Sequence, residues 1–117
     1  MAFKFENLKV WQKSIELSGE ISELTEKFPK KEMFVLTSQI QRASDSIALN
    51  IAEGSTGQTN PEFRGFLAIA LRSAIEVVCC LHIGKRRRLI NEKEFSYFYD
   101  FLTEIVKSIQ ALRNSIK

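Results

Sequence analysis

The sequence is poor in residues that break or staple a chain: 5 glycines, 2 prolines and 2 cysteines among 117 residues. A sandwich or barrel of short strands needs turn signals at close intervals, so an all-β fold is excluded. The cysteines, Cys79 and Cys80, are adjacent. Neighbouring side chains on a regular helix point about 100° apart, which prevents an unstrained disulfide between them. No stretch reaches about 18 uninterrupted apolar residues, and the opening MAFKFENLKVWQ lacks the apolar segment and small-residue cleavage site of a secretory signal. We therefore expect a cytoplasmic protein without a membrane partner. The chain also has a single histidine, His82. A di-iron bundle needs Glu-x-x-His on two helices, so Glu53, Glu62 and Glu76 do not complete such a set.

What is present is ordinary globular material, 44% hydrophobic and 26% charged, enough for one core and a single domain over residues 1–117. Asn7 is a candidate N-cap, followed by Val10, Trp11, Ile15, Leu17, Ile21, Leu24 and Phe28 at the spacing of one helix face. That helix is expected from about Leu8 to Lys27, with Pro29 ending it. A connector over Lys30–Phe34 precedes a second stripe, Leu36, Ile40, Ala43, Ile47 and Ile51. Gly54 would close this helix in the left-handed conformation.

The loop Gly54–Asn60 leads to Asn60-Pro61-Glu62, which reads as an N-cap, a proline at N1 and an acid in the first turn. The third helix carries apolar residues from Phe63 to Ile83 around nearly its whole circumference, so burial on more than one side is expected. Asn91 and Glu94 form a capping box. Phe95, Phe98, Leu102, Ile105, Ile109, Leu112 and Ile116 then step by three and four along one seam. The predicted fold is an all-α, antiparallel up-down-up-down four-helix bundle.

Candidate chemistry is sparse. Cys79 and Cys80 lie in an apolar run that would desolvate a thiolate, and Ser73 has no sequence-near histidine. No metal or cofactor is expected, and an enzyme is the minority reading. Two features stand out. Arg42, Asn50, Glu53, Ser73 and Glu76 are polar positions on the second and third helices, expected to form a structural hydrogen-bond network with Arg42 or Arg72 as counter-charge. The net charge is +3, and its basic residues cluster at Lys85, Arg86, Arg87 and Arg88. In an up-down-up-down bundle Lys30 and Lys31 fall at the same end, giving a surface that attracts phosphates without reading bases.

FENLKVWQKS, FPKKE, LTSQIQRASDSIALNIAEGS and NPEFRGFLAIALRSAIEV together resemble the bacterial four-helix-bundle family encoded by intervening sequences of 23S ribosomal RNA genes. A related group is the accessory variability protein of diversity-generating retroelements. The resemblance implies a homopentamer with a basic surface or channel for RNA or DNA. It also implies a reverse transcriptase or a ribosomal component as a protein partner. The family motif falls on Arg42, Ser46, Asn50, Glu53, Gly54, Glu62, Phe63, Phe66, Ser73 and Glu76, as structural or interface residues. The departure is Gly84-Lys-Arg-Arg-Arg-Leu-Ile90, where relatives carry an apolar turn with Gly and Tyr. Three readings follow from the sequence: an oligomeric nucleic-acid-binding module, a protein-interaction bundle without nucleic acid, and an uncharacterised enzyme.

Overall fold

The computed structural model describes residues 3–57 and 59–117. A 3-10 turn, Lys4–Asn7, leads into α1 (Lys9–Thr25), and α2 (Ser38–Ser55), α3 (Asn60–Arg86) and α4 (Glu92–Ser115) follow. Among the described residues there is no strand. Cross-helix bonds define the directions. Ser18 donates to Asp45 and Gln41 to Thr25, so α1 and α2 run antiparallel. The Arg64 guanidinium reaches the backbone carbonyls of Arg113 and Ile116, which sets α3 against α4. Lys27 Nζ pairs with Glu94 at 2.5 Å, joining the end of α1 to the start of α4. The result is the expected four-helix bundle, 43 Å long and 23 × 22 Å across.

The core is an apolar column from all four helices, including Leu17, Ile21, Ile40, Ile47, Ile51, Leu67, Val77, Leu81, Leu102, Ile105 and Ile109. On α4 the buried set, Phe95, Phe98, Leu102, Ile105 and Ile109, is the seam its periodicity predicts. By length and composition α3 would serve to cross a membrane, but here it packs between α2 and α4. Its outward residues Ile69, Ile75 and Ile83 stay exposed, so the monomer covers less of α3 than the sequence pattern asks for.

The helix ends correct several expectations. Asn7 closes the 3-10 turn instead of capping α1, whose N-cap Leu8 makes no side-chain bond. Phe5 packs edge-on to Trp11, with ring centroids 4.8 Å apart, which folds the entering segment over the helix. Thr59 caps α3, accepting from the Glu62 N–H at 3.2 Å, while Asn60 turns away to donate to the Lys117 carbonyl. Asn91 and Glu94 do form the capping box.

Gly54 is the most informative correction. It lies inside α2, buried, and no glycine among the described residues has positive φ. The residue is small because the neighbouring helix is close. A Cβ there would stand 2.7 Å from Phe66 Cβ and 3.0 Å from the Phe63 ring. Phe66 Cβ is fixed to the α3 backbone and cannot swing aside. Inside a helix, alanine normally exceeds glycine by about 0.5–1 kcal/mol, whereas overpacking costs about 1–3 kcal/mol. Gly54→Ala should therefore lower stability by about 1–2 kcal/mol in chemical denaturation; a gain would show that α2 and α3 have room to spare.

Candidate nucleic-acid interface

The end of the bundle that carries the α1–α2 and α3–α4 connections is built from short irregular pieces. After Phe28 and Pro29 the chain makes a 3-10 turn, Lys30–Glu32, and a π-helical turn, Met33–Thr37, before α2. Glu32 ties them down. Its buried carboxylate accepts from the Leu36 N–H at 3.4 Å and from Arg87 Nη1 at 3.1 Å. That second bond spans 55 residues of sequence and brings the two connections together.

Across from it α3 ends in a Schellman arrangement. The Leu89 N–H bonds the Gly84 carbonyl at 2.8 Å and the Arg88 N–H bonds the Lys85 carbonyl at 3.0 Å. Ile90 then folds back over Gly84, where a Cβ would meet Ile90 Cδ1 at 2.5 Å. The left-handed position of this motif, usually a glycine, is filled by Arg88 with φ 63°.

The six basic residues singled out by sequence divide into two groups. Lys85 Nζ pairs with Glu92 at 2.6 Å and lies 4.5 Å from the Phe95 ring centroid, and Arg87 holds Glu32. The hydrogen bond from Lys85 keeps the Glu92 carboxyl below its usual range. Lys30, Lys31, Arg86 and Arg88 are exposed and enter no ion pair among the described residues. Beside the lysines, Phe34 is 88% exposed, with Met33 and Val35 also exposed. The sequence placed Met33 and Phe34 in a connector and began the apolar stripe at Leu36, and no periodic signal marks the three as a surface feature.

The polar positions of α2 and α3 are brought together only in part. Ser46 and Ser73 share a hydrogen bond of 2.8 Å, and Asn50 Nδ2 donates to the Ser46 carbonyl at 2.8 Å and to its Oγ at 3.0 Å. Gln39 donates to Glu76. Arg42 and Glu53 are exposed and make no side-chain bond or ion pair among the described residues, and neither does Arg72. The pattern holds two helices in register, and among the described residues no buried side-chain nitrogen or oxygen lacks a partner.

Of the two cysteines, expected in an apolar run, Cys79 is exposed and Cys80 is buried. Burial and the nearby Glu76 carboxylate push the Cys80 thiol up to about 11, which keeps it protonated. His82 is exposed and lies edge-on to Phe95, with centroids 4.9 Å apart. No group of three metal-binding side chains occurs among the described residues. Surface grooves run along the α1–α4 seam, between Lys13, Glu16, Glu20, Glu23, Lys93, Glu94, Tyr97, Asp100 and Glu104. Their carboxylates outnumber their lysines, the wrong sign for phosphate.

Fold and site thus define a small all-α bundle with a positively charged end. The chain belongs to the 23S rRNA-intervening sequence protein family, whose model matches residues 6–111. It is also similar to a crystal structure of a protein with unknown function from the S23 ribosomal protein family of Bacteroides thetaiotaomicron. The two share 29% identity and a TM-score of 0.84, over 90% of this chain and 95% of that one. No curated protein matches.

The left-handed Arg88 has a measurable consequence. Leaving that conformation to glycine relieves about 1–2 kcal/mol of strain, against about 0.5–1 kcal/mol of extra chain entropy. Arg88→Gly should raise stability by about 0.5–1 kcal/mol in denaturant melts. A loss of stability would mean that the arginine side chain holds the turn together.

Proposed function

We propose that this chain is a non-enzymatic, self-associating bundle that binds RNA or DNA through phosphate contacts at its basic end. The observation that carries the reading is the Glu32–Arg87 bond of 3.1 Å. It gathers Lys30, Lys31, Arg86 and Arg88 at one end while these four cations have no carboxylate partner among the described residues. Free cations concentrated on one surface release counterions when they meet phosphates. Arg88 supports the same reading, since it places a cation at a left-handed position that glycine usually fills.

Self-association is supported by Leu49, Ile69 and Ile75, exposed by 61%, 44% and 56% on α2 and α3. Exposed apolar surface of this kind marks interaction faces. A ring, five-membered as the family resemblance implies, would repeat the basic end and strengthen weak phosphate contacts by multivalency. The protein partner suggested by that resemblance, a reverse transcriptase or a ribosomal component, would then meet nucleic acid already held on the ring.

The test is a salt titration on protein whose mass has been fixed by light scattering. A labelled single strand is bound by wild type and by Arg86→Gln/Arg88→Gln. Losing two phosphate contacts should flatten the slope of log affinity against log salt by about 1.4, whatever the base sequence. Equal slopes for the two proteins would remove this surface from the reading, and a monomer at micromolar concentration would remove the assembly.

A further inference from the structure

Phe34 is the most exposed of the large hydrophobic residues described, at 88%. It stands on the π-helical turn Met33–Thr37, a kind of irregularity that recurs at functional sites. The turn is held firmly: its N-cap Glu32 accepts from the Leu36 N–H and is itself gripped by Arg87, and Leu36 is buried. Phe34 thus projects from an anchored support. Lys31 and Lys30 precede it by three and four residues along the same helical stretch, and the α3 end with Arg86 and Arg88 is tied alongside.

We propose that Phe34 stacks on an unpaired base, so that the basic end takes single-stranded nucleic acid in preference to duplex. The inference rests on the phosphate-binding reading above and adds to it what phosphate contacts alone cannot supply. Lysines and arginines grip a backbone of either kind, but a flat apolar ring gains only where a base is free to leave its own stack. Charge complementarity selects the occupant: a strand that brings its phosphates to Lys30, Lys31, Arg86 and Arg88 presents its bases beside the ring. Stacking is tolerant of sequence because every base has a face. A preference for unpaired strands without a preference for their sequence follows.

The two contributions respond differently to salt, which makes them separable. Phosphate contacts weaken as salt rises, whereas stacking does not release counterions. Wild type, Phe34→Ala and Phe34→Trp are titrated with labelled strands of about 12 nucleotides, as RNA and as DNA of the same sequence, and with the matching duplexes. Phe34→Ala should weaken single-strand binding by about 5- to 100-fold by the same factor at every salt concentration, and duplex binding hardly at all. Phe34→Trp should retain affinity and show indole quenching on binding, with Trp11 measured in wild type as the reference. A strand made abasic throughout should bind wild type more weakly than the intact strand and bind Phe34→Ala no differently, and whichever sugar shows this names the strand taken.

If wild type binds strands with a steep salt slope but Phe34→Ala binds them equally well, stacking is wrong and the phosphate reading stands. If wild type binds no strand at any salt, both fall. A change of mass in Phe34→Ala would make the ring an assembly contact and overturn the proposal as well.

Discussion

The close approach of α2 and α3 is the constraint on which the rest of this structure depends. It begins at Gly54, where the absence of a side chain lets Phe63 and Phe66 sit against the α2 backbone. From there the pairs succeed one another up the seam: Ser46 with Ser73, Gln39 with Glu76, Leu36 against Gly84, and Glu32 with Arg87. The same antiparallel register runs through α2 and continues through the irregular Lys30–Thr37 stretch. Because α3 has 27 residues and α2 has 18, the π and 3-10 turns occupy the length of α3 that α2 leaves uncovered. A contact between a glycine and two phenylalanines at one end thus helps decide where the cations at the other end stand.

That arrangement also separates charge. The grooves of the α1–α4 seam are lined by Glu16, Glu20, Glu23, Glu94, Asp100 and Glu104 against Lys13 and Lys93, in a chain whose net charge is +3. The positive excess therefore belongs to the remainder of the surface. An anionic strand would be repelled from the seam and drawn to the end. Of the cations at that end, Lys85 and Arg87 pair with Glu92 and Glu32, and Arg86, Arg88, Lys30 and Lys31 have no carboxylate partner among the described residues.

Much of this was legible in the sequence where the signal is local or periodic. The α4 seam from Phe95 to Ile109 and the Asn91–Glu94 capping box depend on residues within a few turns of each other, and both were read correctly. Gly54 was misread because a glycine serves two purposes, a left-handed turn or a close approach, and only the partner helix distinguishes them. Thr59 and Asn60 are adjacent residues that can both cap, and although asparagine is ordinarily the stronger, backbone geometry gave the position to Thr59. The engagement of Arg87 by Glu32 and the exposure of Phe34 were out of reach for the same reason. Both depend on how two distant connections meet, and periodicity carries no information about that. Of the polar positions, Ser73, Asn50 and Glu76 find partners, whereas Arg42 and Glu53, with an equal claim by spacing, face outward.

The central claim is that one register brings two connections together into a single ligand-binding end. It is tested most directly by following the backbone amide resonances of the labelled protein while a single-stranded oligonucleotide is added. The account predicts that Lys30–Val35 and Lys85–Arg88 shift together, with one affinity, while the α1–α4 seam around Glu20 and Tyr97 stays unchanged. Shifts centred on that acidic seam, or confined to one of the two connections, would contradict it.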